Sequence, residues 1–263
     1  MRVRITLFPT ITRIPLPLNY NYFLTSLIYS FIESSSKDYS KFLHHKGYRL
    51  GGSKKGFKLF TYSMLIGEAI SIKSDKIIFE KGPIHWFLSS PMRDFIQHLI
   101  TGIFFEGNEI KIGPTDKEVP FIIEQVETLP RLEFKETMRF TCLSPITVSK
   151  VNSLSGLNGL KCHYLRPWEE GFSEAIRDNL IKKYKLVYEK DIHSPDFKIA
   201  IDTEYMSKRS GKITKKINFK GTDIIGFIAP FEVRGNPELI EIGYEAGFGE
   251  KGSMGFGMVK EVV

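Results

Sequence analysis

The order of periodicities along this chain constrains its fold more than any other feature. Apolar residues recur first every second position, as in a half-buried strand, and then every third or fourth, as in a helix with one buried stripe. That order runs through the chain twice. Arg2 to Leu7 (RVRITL) alternates polar and apolar residues. Asn19 then caps a helix whose apolar positions, Tyr20, Phe23, Leu24, Leu27, Ile28 and Phe31, form one stripe. Strand-like runs follow at 58–66, 69–79 and 85–88. Ser90 and Pro91 open a second helix, with the stripe Met92, Phe95, Ile96, Leu99 and Ile103. Strands at 109–112 and 119–126 close the first pass. The second pass has a strand at 139–143, a helix near 169–184, and strands at 197–201, 212–219 and 224–233. Asn236-Pro237 then caps a short helix through Glu245, and a strand at 256–262 ends the chain. Each pass reads β-α-β-β-α-β. The expected fold is α+β: two tandem ferredoxin-like (RRM-like) domains, each with an antiparallel sheet, over 1–127 and 128–263.

Composition removes several alternatives. The 263 residues are 42% hydrophobic and 25% charged, enough apolar mass for a core, so disordered, collagen-like and disulfide-scaffold chains are excluded. Cys142 and Cys162 form no CxxC and have no histidine at metal-ligand spacing. Two buried, reduced thiols in a cytoplasmic protein are expected. Pro9, Arg13, Pro15 and Pro17 interrupt the apolar start of the chain, and no window has the ~18 apolar residues of a membrane span. The net charge of +7 makes an anionic partner plausible.

That charge is clustered. Residues 37–58 carry Lys37, Lys41, Lys46, Arg49, Lys54, Lys55 and Lys58 against one acid, Asp38, with His44, His45, Tyr39, Tyr48 and Phe57 interleaved. Such a run can be a solvated face, but aromatic and glycine residues among the cations suit nucleic acid. A second run holds Lys208, Arg209, Lys212, Lys215, Lys216 and Lys220 with no acid, as a hairpin facing phosphates would. The segment 243–257 (GYEAGFGEKGSMGFG) has glycines at 243, 247, 249, 252, 255 and 257. It lacks the GK[ST] of a phosphate-binding P-loop, and it follows a helix, unlike a dinucleotide fingerprint. Its glycines permit positive φ and close approach to a ligand.

The stretch GYEAGFGEKGSMGFGMVK at 243–260 resembles the glycine-rich signature of the Cas six family, the RAMP-superfamily endoribonucleases that process CRISPR precursor RNA. The likeness continues in MRVRITL, LPLNYNYFLTSLIYSFI, the LHxKG pattern at 43–47 and KLFTYS at 58–63. It implies tandem ferredoxin-like domains and metal-independent cleavage of CRISPR repeat RNA, without cofactor, to give mature crRNA in antiviral defence. The attacking group is the 2′-hydroxyl, and the product carries a 2′,3′-cyclic phosphate. That chemistry needs a base, an acid and a cation. The resemblance places them at Tyr29, His44 and Lys58, with His45 adjacent to His44 and Lys54 and Lys55 competing with Lys58. The basic runs and the glycine pattern predict RNA contacts from Lys54, Lys55, Lys208, Arg209, Lys212, Lys215 and Lys216 and from Gly247, Gly249, Gly252, Gly255 and Gly257. Partners are repeat RNA, precursor and mature, together with other CRISPR effector subunits or a second copy in a homodimer. A non-catalytic RNA-binding RAMP subunit is the alternative. A small-molecule enzyme has no supporting acid–base pair or cofactor motif.

Overall fold

The computed structural model describes residues 1–53, 56–68, 70–80, 82–152 and 161–262. The chain is mixed α+β with antiparallel sheets. Its first half contains β1 (Arg2–Pro9), α1 (Asn21–Ser35), β2 (Thr61–Tyr62), β3 (Ile84–Ser89), α2 (Arg93–Glu106), β4 (Glu109–Ile112) and β5 (Val119–Thr128). The main sheet has the order β2-β3-β1-β5-β4, so the first strand lies between two strands distant in sequence. The register pairs Arg2 with Ser89 and Leu7 with Ile84 on one side, and Val3 with Thr128 on the other. Val3, Ile5 and Leu7 are buried with Leu24, Ile28 and Phe31 of α1 and Phe95 and Leu99 of α2 in one core.

The second half contains β6 (Thr137–Cys142), α3 (Phe172–Tyr188), β7 (Phe197–Ile201), β8 (Thr214–Phe219), β9 (Thr222–Phe227), β10 (Phe231–Gly235), α4 (Pro237–Ala246) and β11 (Val259–Glu261). Its four-stranded sheet runs β7-β10-β6-β11, while β8 and β9 form a separate hairpin. A second core joins Phe140, Phe231 and Val233 to Ile176, Leu180, Leu239, Ile242 and Phe248. Arg2 ties the halves together: its guanidinium donates to the carbonyls of Val259 at 2.7 Å and Tyr244 at 2.8 Å and stacks 3.5 Å from the Tyr244 ring. Only 5% of Arg2 is exposed, so a residue at an expected polar strand position is internal because the second half covers it. Among the described residues, no helix is long and apolar enough to cross a membrane.

Local details differ from the sequence reading. Asn19 does not cap α1. The cap position is Tyr20, and the Asn19 side chain accepts from the backbone N–H of Asn218 at 2.9 Å, drawn away by the hairpin of the second half. The run at 58–66 is regular only at Thr61–Tyr62 and Ile66–Gly67, because Leu59 takes a left-handed φ of 53°. The run at 224–233 is two strands, since it crosses Pro230, which has no N–H to give a ladder. Asn236 does cap α4, its side chain accepting from the Glu238 N–H at 2.8 Å. Cys142 is half-buried, but Cys162 is exposed, against the expectation of two buried thiols. Among the described residues its strand, Lys161–Tyr164, pairs with Ser149–Asn152 in a two-stranded ribbon outside both main sheets.

Candidate active site

The site begins where α1 ends. Leu24, Ile28, Phe31 and Ile32 hold that helix in the core, and Tyr29, one position off the stripe, is half-buried. Ser36 stops α1 and restarts the chain, its hydroxyl accepting from the Tyr39 N–H at 3.2 Å. A five-residue helix, Lys37–Lys41, passes into a π-helical turn, Phe42–Lys46. Gly47 closes this turn, its N–H donating to the Phe42 carbonyl at 2.7 Å. Such widened turns often carry functional side chains. Here the buried Leu43 anchors the turn and leaves the next residue, His44, exposed. The His44 ring stands 5.7 Å from the Tyr29 ring, edge to face at 78°. Burial pushes the Tyr29 phenol up to about 12, so at neutral pH it is an uncharged O–H.

Lys58 arrives from the far side of a loop. Tyr48 and Phe57 pair across its base, through N–H to carbonyl bonds of 2.8 and 2.7 Å. This bridge returns the chain to the π-turn, where Lys58 Nζ donates to the His44 carbonyl at 3.0 Å. Arg49 serves the next two carbonyls, with Nη2 to His45 at 3.2 Å and Nε to Lys46 at 3.1 Å. These cations satisfy carbonyls left open at the end of a helical turn. Lys58 is half-buried; burial first, and then the neighbouring charge of Arg49, hold its ammonium below the ordinary lysine range. His45 is exposed and lies against His44, but its Nδ1 sits 3.2 Å from the Lys41 carbonyl. Lys54 and Lys55 lie outside the described residues.

The glycine-rich segment is the seam between the halves. Gly247, Gly249, Gly255 and Gly257 have φ between 81° and 85°, and all four are buried. Gly252 does not need positive φ, but a Cβ there would fall 2.5 Å from the Phe60 carbonyl. Thr25 donates to the Ser253 carbonyl at 3.2 Å and Thr61 to the Phe256 carbonyl at 2.8 Å, so the loop is fastened to α1 and β2. Lys183 of α3, only 4% exposed, donates to the carbonyls of Ala246, Gly247 and Gly249. Sequence reading missed both Lys183, hidden in an ordinary amphipathic helix, and the capping role of Arg49. A cavity of about 180 Å³ separates Lys58 and Phe60 from Lys183, Lys251 and Ser253. Gly252 and its neighbours in the segment thus lie beside Lys58, at the edge of the cluster of Tyr29, His44 and Lys58.

The second basic run is not one hairpin. Lys208 ends the short helix Thr203–Lys208 and pairs with Glu204 at 2.6 Å, while Arg209 lies 4.9 Å from the Tyr205 ring. The hairpin proper is β8–β9, turning at Lys220-Gly221. Lys212 is exposed before it, Lys215 is half-buried on it, and Lys216 pairs with Asp223 at 3.0 Å. Among the described residues, no three His, Cys, Asp or Glu side chains gather as a metal-ligand set.

Two family models match this chain: "CRISPR-associated protein Cas6, N-terminal" over residues 15–127 and "CRISPR associated protein Cas6, C-terminal" over residues 127–261. The chain belongs to the Cas6 family. A relative from Methanocaldococcus jannaschii, named CRISPR-associated endoribonuclease Cas6 1, is 32% identical over 94% of this chain and 87% of its own length. A solved structure of a Cas6-related protein from Pyrococcus furiosus has a TM-score of 0.84 at 29% identity, covering 100% of this chain and 98% of its own. Another, titled "An RAMP protein binding different RNA substrates", has a TM-score of 0.83 at 28% identity and covers both chains fully. In this Cas6 chain Tyr29, His44 and Lys58 fall within the N-terminal match, and the glycine segment falls within the C-terminal one.

Proposed function

We propose that this Cas6 chain is a metal-independent endoribonuclease that cuts CRISPR repeat RNA in precursor transcripts, in the cytoplasm, by attack of a 2′-hydroxyl. One observation carries the reading: Tyr29, His44 and Lys58, from three separate segments, meet at the end of α1, with rings 5.7 Å apart and the ammonium 3.0 Å from the His44 carbonyl. His44 takes the proton of the 2′-hydroxyl as its oxygen bonds to phosphorus. The bond from phosphorus to the 5′-oxygen breaks, and Tyr29, a neutral phenol, supplies the proton that oxygen needs. Lys58 offsets charge on the phosphate. The products are a 2′,3′-cyclic phosphate and a 5′-hydroxyl. Two tandem ferredoxin-like domains, 1–127 and 128–263, are the matching architectural proposal. They are supported by the shared strand order, in which the first strand of each main sheet lies between that sheet's third strand and its last.

The test is cleavage of the cognate repeat in EDTA with detection of the cyclic phosphate; a magnesium requirement overturns the proposal. The likeness to a RAMP protein titled as binding RNA favours a second reading, a non-catalytic RNA-binding subunit of a CRISPR complex. That reading expects bound but uncut repeat.

Two further results are expected. The rate falls as pH rises through the value at which Lys58 loses its proton. Because burial and Arg49 lower that value, the alkaline limb lies below that of a free lysine, and Arg49→Gln, which removes a like charge, moves it upward. A limb unmoved in that variant removes Lys58 as the cation. Neutralising Lys212, Lys215 and Lys216 together weakens binding and reduces the salt slope by about 2, at ~0.7 per phosphate contact on a single strand. An unchanged slope takes the hairpin out of the RNA footprint.

A further inference from the structure

Two lysines outside the catalytic cluster share an unusual geometry. Lys220, at the turn of β8–β9, has φ 50°, and Lys251, in the glycine segment, has φ 59°. Both are left-handed, a conformation that glycine adopts without strain and a residue with a Cβ does not. Each ammonium lies over a tyrosine: Lys220 Nζ is 4.3 Å from the Tyr22 ring centroid, and Lys251 Nζ is 5.9 Å from that of Tyr164. Neither lysine opposes a carboxylate among the ion pairs of the described residues. The two tyrosines are the rim of one apolar cluster, in which Tyr22, Tyr164 and Met254 pack on buried Ile217, Phe219, Ile224 and Phe256. The rings are therefore fixed from beneath, and Tyr22 is further held edge-on by Phe219 at 5.8 Å.

The placement relates this surface to the catalytic groups. Tyr22 and Tyr29 are seven residues apart on α1, two turns along one face, or about 10 Å along the axis. Lys251 lines the same cavity as Lys58. A strand held at His44 thus has Tyr22 two turns back along α1, and Lys251, with Tyr164 beneath its ammonium, across the cavity beside Lys58.

We propose that the Tyr22–Lys220 and Tyr164–Lys251 pairs are two base-stacking subsites for single-stranded repeat RNA flanking the cleavage site. This deepens the nuclease reading above and rests on it only for the identity of the RNA. In the free protein each lysine covers its ring. When RNA binds, the base takes the ring face and the ammonium, on its flexible stem, moves to the adjoining phosphate. The exchange is favourable because base–aromatic stacking is stronger than an exposed cation–π contact.

The experiment measures repeat-RNA affinity and salt slope, together with quenching of 2-aminopurine placed at successive repeat positions. Tyr22→Ala and Tyr164→Ala should each weaken binding about 5- to 150-fold, with the salt slope unchanged. Each should abolish quenching at one position, while Tyr22→Phe and Tyr164→Phe keep both signals. Lys220→Gln and Lys251→Gln should each lower the slope by about 0.7. These lysine variants do not disturb the apolar cluster, so they test the pairs even if an alanine variant unfolds. The proposal is overturned if wild-type protein binds the repeat while either alanine variant binds within about twofold of it, or if both lysine variants keep the wild-type slope. RNA that is bound through these tyrosines but left uncut would instead overturn the nuclease reading and leave the platform standing.

Discussion

His44→Ala lowers the single-turnover rate of repeat-RNA cleavage by roughly 10²- to 10⁴-fold, the range for loss of a positioned proton-transfer group. RNA affinity changes little, because one exposed imidazole adds little to an interface of many phosphate contacts. The same change at His45 keeps most of the activity. The two rings touch, at 4.9 Å, but it is His44 that stands edge-on to Tyr29 and whose carbonyl holds Lys58. Tyr29→Phe and Lys58→Ala also slow the reaction, and combined losses are smaller than their product if the three act as a unit. A 2′-deoxy substitution at the scissile nucleotide abolishes cleavage and spares binding, since the nucleophile is gone. A deoxy substrate that is still cut, or a His44→Ala enzyme with wild-type turnover, rules this mechanism out.

Gly255→Val destabilises the protein by roughly 2–5 kcal/mol, adding the cost of a left-handed side chain to that of an overpacked interior. Gly255 has φ 81°, and a Cβ would lie 2.6 Å from both the Asn21 amide nitrogen and the Tyr62 ring. Both contacts belong to the first half, so the substitution pushes the two halves apart. Gly252→Ala separates the two causes: the backbone there tolerates a side chain, but the Cβ still meets the Phe60 carbonyl at 2.5 Å. Denaturant midpoints for both variants, with unchanged slope, check the prediction. A Gly255→Val protein with the wild-type midpoint would show that the seam relaxes around a side chain.

The order of strands and helices was legible in the sequence because each element announces itself within about ten residues. RVRITL buries Val3, Ile5 and Leu7, and the stripe of α1 buries Leu24, Ile28 and Phe31. Phe197–Ile201 and the Asn236 cap stand where local rules put them. Resemblance marked Tyr29, His44 and Lys58 as candidates. It favoured His44 over the adjacent His45 from its place between Leu43 and the x-Lys-Gly tract; which way the π-turn points each ring is not written in the sequence.

Local pattern alone determined this chain's periodicities, its cap at Asn236, and the glycine segment in which four glycines adopt positive φ. Tertiary structure decided the rest. The bridge between Tyr48 and Phe57 brings the chain back so that Lys58 reaches the His44 carbonyl. The hairpin of the second half takes Asn19 from its helix, and the second half buries Arg2 in a strand that reads as half-exposed. Of the segment's glycines, Gly252 faces backbone and Gly255 side chains of the first half, while Gly249 and Gly257 are crowded by backbone of the second half itself. Periodicity records only which face of an element is buried; it carries no record of which distant carbonyl, ring or amide will cover it, because those partners come from segments up to 257 residues apart.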